Sequence, residues 1–248
     1  MRTPIFLLSL SAHTITNGQN DAAYWQQQMT QRGVQMEPDT DPFVPNAFIG
    51  SFTMEMHFYK NGVEDKSSPM DMQYGSSEDM VMMKSSGAAT KGQDMRLMTD
   101  LKGKWQYTLM TDAEGGKMAM KSRKMKVAVD GTDKAVPVIT RTTETKVIDG
   151  HTCIKVIAKS DDGTWTGWVA GDLTAPFNDM ARNVKKGNEQ ITRGMGDMQG
   201  FPLEFEWTSA SGTDKTVVFV RDLRHGSVDQ STFSLDGYNV MELPSFGQ

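Results

Sequence analysis

The sequence predicts a mainly β protein of the α+β type, an antiparallel sandwich or barrel carrying one or two helices. Three observations lead there. Apolar and polar residues alternate at period two, most clearly where Phe52, Met54, Met56 and Phe58 interleave with Thr53, Glu55, His57 and Tyr59, which puts one set on one face of a strand. Turn signals such as Asn61-Gly62, Glu114-Gly115-Gly116, Asp149-Gly150 and Asp161-Asp162-Gly163 recur at roughly ten-residue intervals, the spacing of consecutive hairpins. Helical periodicity, by contrast, is confined to two short stretches, and 248 residues with 38% hydrophobic content suit one β domain with a core.

Taken in order, residues 1–18 read as an export signal, with Arg2 before the apolar Ile5 to Leu10 and Thr16-Asn17-Gly18 as a small-x-small cleavage site. Residues 19–47 read as a helix followed by a strap. Ala22, Trp25 and Met29 share one helical face, and Pro38, Pro42 and Pro45 then hold the chain extended. The β domain is expected over 48–238. After Phe52–Phe58, Met70, Met72 and Tyr74 repeat the alternation, and Met80 to Lys84 offers a third strand. Ser85 to Gly92 is a turn cluster, after which Met95, Leu97 and Met98 resume. Trp105, Tyr107 and Leu109 follow Lys102-Gly103 at period two, and Met118 and Met120 lead into a basic segment from Lys121 to Lys126.

The central meander runs from Val147 to Leu173, turning at Asp149-Gly150 and at Asp161-Asp162-Gly163. A helix is expected over 175–186, with Thr174 as N-cap, Pro176 in the first turn, Phe177, Met180, Ala181 and Val184 on one face, and Gly187 ending it. Leu203, Phe205 and Trp207 then mark a strand, as do Thr216 to Leu223, and Thr232 to Leu235 suggests a last one. Residues 239–248 read as a loose tail.

Composition narrows the function classes. A net charge of −5 argues against a general nucleic-acid binder, which needs clustered cations to displace counterions. No stretch after the leader approaches the run of about 20 apolar residues that a membrane helix requires, so stable membrane insertion is not expected. One cysteine, Cys153, allows no internal disulfide. The outlying figure is 20 methionines; methionine is flexible and polarisable and suits surfaces that accept apolar partners of variable shape.

Four local patterns carry a resemblance. They are the apolar opening strand Phe52 to Phe58, Asp-Gly-His-x-Cys within Ile148 to Cys153, Thr-Gly-Trp-Val-x-x-Asp-Leu over Thr166 to Leu173, and Gly-Phe-Pro-Leu-Glu-Phe over Gly200 to Phe205. Together they resemble a family of secreted bacterial domains of unknown function grouped with lipoprotein-localisation factors of the LolA and LolB type. That resemblance implies a strongly curved antiparallel sheet, a half-barrel, with one or two helices covering its open apolar face. It carries over no catalytic or ligand residues.

Each motif that could carry chemistry also has an ordinary packing explanation. Met54-Glu55-Met56, Met70-Asp71-Met72, Met80-Val81-Met82 and Met118-Ala119-Met120 place paired thioethers on one side of a strand, as a Cu(I) or Ag(I) binder would, but leucine-like packing produces the same spacing. His151 and Cys153 share a strand side without the four ligands structural zinc takes. Gly194 to Gly200 misplaces the third glycine of a dinucleotide loop and precedes a strand. No nucleophile elbow or phosphate loop occurs, so neither catalysis nor a cofactor is expected. The expectation is an exported, non-catalytic, periplasmic or secreted protein that binds a hydrophobic small molecule or a lipidated protein. The candidate lining is Phe52, Met54, Met56, Phe58, Met70, Met72, Trp105, Tyr107 and Trp207. The alternatives are a periplasmic Cu(I) or Ag(I) binder and an interaction module whose core is simply filled.

Overall fold

The computed structural model describes residues 34–87, 94–112, 114–129, 137–173, 179 and 199–243. The expected signal (1–18), the helix over 21–31 and nearly all of the helix over 175–186 lie outside them. Among the described residues there are fifteen strands: β1 (Val34–Pro38), β2 (Gly50–Lys60), β3 (Val63–Glu64), β4 (Met70–Ser76), β5 (Met80–Gly87), β6 (Asp94–Asp100), β7 (Trp105–Thr111), β8 (Lys117–Arg123), β9 (Met125–Val129), β10 (Val138–Ile148), β11 (His151–Ser160), β12 (Gly163–Ala170), β13 (Phe201–Ser209), β14 (Asp214–His225) and β15 (Asn239–Glu242). Thirteen of them form one open, curved sheet in the order β10-β11-β12-β13-β14-β2-β4-β5-β6-β7-β8-β15, with the short β3 beside β2.

The sheet is two antiparallel meanders joined edge to edge. One runs β2, β4 to β8 and the other β10 to β14, and the pairing of β14 with β2, from Asp214↔Lys60 to His225↔Gly50, welds them. The turns follow from residues that tolerate positive φ. Asn61 and Gly62 (φ 51° and 78°) and Asp149 and Gly150 (φ 48° and 84°) are two-residue loops of the kind whose twist matches flanking strands. Bulges at Arg141/Thr145, Trp168/Val169 and Arg221/Arg224 add local bend to the second meander and its junction.

Because the period is two, register assigns every side chain to one of two faces. On the first face, Phe48 from the strap sits at the centre of an aromatic cluster, with ring centroids 5.7 Å from Phe52, 6.2 Å from Tyr74 and 5.9 Å from Phe201. Met54, Val81, Leu203, Val218 and Val220 complete this main core. On the second face, Met98, Leu109 and Ala119 form a smaller core under Phe233, Leu235 and Tyr238.

Three expectations about the ends of the chain need correction. Thr232 to Leu235 is no strand: Gln230–Phe233 is one turn of 3₁₀ helix capped by Asp229, whose carboxylate accepts from Ser231 N–H at 2.9 Å. Its apolar residues are spent covering the second face instead of alternating in a ladder. The tail is not loose throughout, since Asn239–Glu242 is β15, added parallel to β8 with Met241 opposite Met120. The proline strap also begins as a strand, β1, paired with β9. Just past it Asp39 is buried and receives the ammonium groups of Lys124 and, at 3.2 Å, Lys104. Burial alone would raise the Asp39 carboxyl. Hydrogen bonds from Lys124, the Asp41 N–H and Lys104, with the charge of Lys124, instead bring it down to about 2.

Candidate functional site

The candidate surface is the first face of the β2 to β8 meander, and the register builds it row by row. One row crosses the sheet as Val220, Met54, Met72, Ser85, Met95, Met110 and Met118. Its neighbour runs Phe52, Tyr74, Met83, Leu97, Thr108 and Met120. On the other side lie Val218, Met56 and Met70, and beyond them Trp165, Trp207, Thr216 and Phe58. Directly opposed residues in an antiparallel pair have Cα atoms about 4.5–5.5 Å apart, so each row sets its side chains as direct cross-strand neighbours.

Exposure divides this face. Phe52 and Met54, 2% and 6% exposed, belong to the closed core with Tyr74. Met56, Phe58, Met70, Met72, Met83, Met95, Met110, Met118, Met120, Trp165 and Trp207 are half-buried. Apolar side chains left partly in water across adjoining strands are a surface with burial still to gain, at about 25 cal/mol per Å².

Of the nine residues expected to line one pocket, seven share this face and two do not. Met98 opposes Tyr107, and Asp100 opposes Trp105, so both aromatic residues point to the second face. Tyr107 packs there against the small core. Trp105 lies under two cations, with Lys121 Nζ 3.7 Å and the Arg123 guanidinium carbon 3.8 Å from the ring centroid. Residues the sequence reading missed are Met83, Met95, Met110, Met118 and Met120, together with Trp165, whose indole lies over Gly167. A Cβ at Gly167 would come within 2.3 Å of that ring, so glycine leaves the room in which Trp165 meets Phe205 at 5.8 Å between centroids.

A cleft of about 380 Å³ lies elsewhere, at the end of the sheet, lined by Asp149, His151, Leu173, Asp222, Leu223 and His225. His151 Nδ1 is 2.8 Å from Asp172 Oδ2, and this hydrogen bond holds the Asp172 carboxyl below its usual value. Cys153, beside it, is fully buried, and burial, then the charges of Asp172 and Glu204, push its thiol up, away from the reactive thiolate. Among the described residues no group of three or more His, Cys, Asp or Glu is placed to hold a metal ion, and no helix is long and apolar enough to cross a membrane.

On the second face, His57 is held between carboxylates, with Nδ1 2.6 Å from Glu64 and Nε2 3.1 Å from Glu55. Those two hydrogen bonds, Glu64's first, raise its pKa.

The model of a family described as a domain of unknown function, DUF4412, matches residues 48–237. No curated protein matches the sequence. Among solved structures, PNGF-II is 14% identical with a TM-score of 0.35 over 78% of this chain and 31% of its own; this chain thus spans about a third of that protein's length. A DUF1329 family protein from Desulfovibrio piger ATCC 29098 is 7% identical, with a TM-score of 0.22 over 87% of this chain and 95% of its own. A putative outer membrane lipoprotein-sorting protein domain from Vibrio parahaemolyticus is 9% identical, with a TM-score of 0.25 over 84% and 94%. None of the three reaches a TM-score of 0.5, so no function is taken from them.

Proposed function

For this chain, which belongs to the DUF4412 family of domains of unknown function, we propose a non-catalytic role: binding a hydrophobic ligand, an acyl chain or the lipid of a lipidated protein, on the first face of the β2 to β8 meander. One observation carries the reading. The half-buried side chains of that face form adjoining rows, and apart from Leu97 their apolar members are methionines and large rings. Thioether side chains with three rotatable bonds re-pack around guests of different shape without leaving voids, and voids are what make a rigid apolar contact costly. Export to the periplasm, where such a carrier would meet lipidated proteins, belongs to the same proposal and rests on the leader-like residues 1–18.

The rival is a module whose face is filled by its own chain. Half-buried methionines favour the binding reading, because a filled face would leave them as closed as Phe52 and Tyr74. Native mass spectrometry of the purified protein with palmitate or a short-chain phosphatidylglycerol tests it. A retained ligand is expected, lost on Met72→Glu, while the same charge at Gln73 on the other face leaves it in place. No adduct, or one indifferent to Met72→Glu, would overturn the proposal.

A further inference from the structure

The methionines are not spread evenly over the face they share. On the first face Met54, Met56, Met70 and Met72 lie on β2 and β4, and the series continues through β5 to β8, whereas β10 to β14 hold none. The methionine-free half does the same structural task with Val156, Val218, Val220, Leu203, Phe205 and Trp207. A row that had only to be buried would be served better by those β-branched and aromatic residues, which suit strands and mostly lose less side-chain entropy on burial than methionine does. Beyond the flexibility used in the binding proposal, methionine adds a sulfur donor that none of those residues carries.

Within the methionine half, one place brings three sulfur-bearing side chains together from three consecutive strands. Met95 on β6 is directly opposite Met110 on β7, which is directly opposite Met118 on β8. All three are half-buried. Ser85 separates them in the row from Met72 and Met54, so the trio is bounded on one side, and on the other, among the described residues, β8 pairs with the short β15. With Cα neighbours about 5 Å apart and three flexible χ angles each, the thioethers can converge on one point from three sides. Thioether donors select soft cations with little demand for charge neutralisation, above all Cu(I) and its analogue Ag(I).

We infer that Met95, Met110 and Met118 form a three-thioether site for a soft monovalent cation. The site takes a ligand class different from the acyl chain proposed above and does not depend on it, because the trio needs only the register of β6, β7 and β8.

The test uses the whole chain with ¹³C-labelled methionine methyl groups, titrated with silver nitrate in chloride-free buffer and, anaerobically, with Cu(I). The site predicts a single equivalent taken up tightly, with the methyl signals of Met95, Met110 and Met118 moving together. Met110→Leu conserves volume and keeps the fold; it is expected to weaken uptake about tenfold or more, as loss of even an outer contact does at metal sites. Met80→Leu, on the second face against the small core, leaves uptake unchanged. No uptake, uptake indifferent to Met110→Leu, or shifts centred on Met54 and Met72 would overturn the inference. Palmitate binding is read separately by mass, so failure of either proposal leaves the other standing or falling on its own data.

Discussion

The two meanders of this sheet share a face and a register yet fill it with different chemistry. In β10 to β14 the first face is mostly β-branched and aromatic, with Val156, Leu203, Val218, Val220 and Phe201 buried and Trp165, Phe205 and Trp207 half-buried. In β2 to β8 it is methionine and stays half-buried except where Phe52, Met54, Tyr74 and Val81 meet the aromatic cluster around Phe48. Closure explains the first half: residues in permanent contact are best when stiff and well shaped. The second half has surface without closure, and there the sequence uses the side chain that tolerates a change of neighbour. Burial is therefore complete around the Phe48 cluster and partial across the methionine rows, and that partial burial is what the binding proposal builds on.

The largest expected effect breaks that comparison most directly. Phe201→Ala, at a fully buried ring 5.1 Å from Phe52, is expected to lower unfolding free energy by about 3–5 kcal/mol. Met72→Ala, on the open half, is expected to cost about 1 kcal/mol. Urea unfolding measures both; equal losses would mean that the methionine half is also closed core.

Next is the clamp that ties the strap to the methionine half. Removing the charge in Asp39→Asn strands two ammonium groups, one of them buried, and is expected to cost about 3 kcal/mol or more. The folded pKa near 2 lies below the unfolded 3.8, so the carboxylate's contribution is complete above about pH 4 and is lost as pH falls through that window towards 2. Acid unfolding of the Asn variant should therefore be less steep between pH 4 and 2 than that of the parent; identical slopes would remove Asp39 from the account.

The smallest effect concerns the second face at the seam. His57 is raised by Glu64 and Glu55, so its contribution is complete below the unfolded value of 6.5 and declines as pH rises through the higher folded value. An NMR titration of the imidazole should give an apparent pKa above 6.5, shifted down by Glu64→Gln. No downward shift would leave the ion pair without consequence.

Much of the fold was legible because period two and turn chemistry are local. Asn61-Gly62, Asp149-Gly150 and the alternation of Phe52 to Phe58 all became the hairpins and strand they suggested. Which face a strand turns towards its neighbour is not local, and Trp105 and Tyr107, expected beside the other seven lining residues, lie on the second face. Met95 and Leu97 belong to the first face and Met98 to the second, so β6 is apolar on both sides and its pattern cannot choose a parity for Trp105 and Tyr107. The reason β6 is two-sided is the cover supplied by Phe233, Leu235 and Tyr238, residues far along the chain whose spacing looked like another strand. The methionine trio was equally hidden, because Met95, Met110 and Met118 are neighbours only once three registers are known.

One measurement bears most directly on the half-buried surface of the first face, which runs from Phe58 on β2 across Thr216 to Trp207 on β13. In two variants that keep a single tryptophan, either Trp207 on the first face or Trp105 on the second, a dibrominated fatty acid is added and fluorescence quenching is followed. The binding account predicts saturable quenching of Trp207, two positions along the row from Phe58, and none of Trp105 beneath Lys121 and Arg123. Equal quenching of both, or of neither, would contradict it.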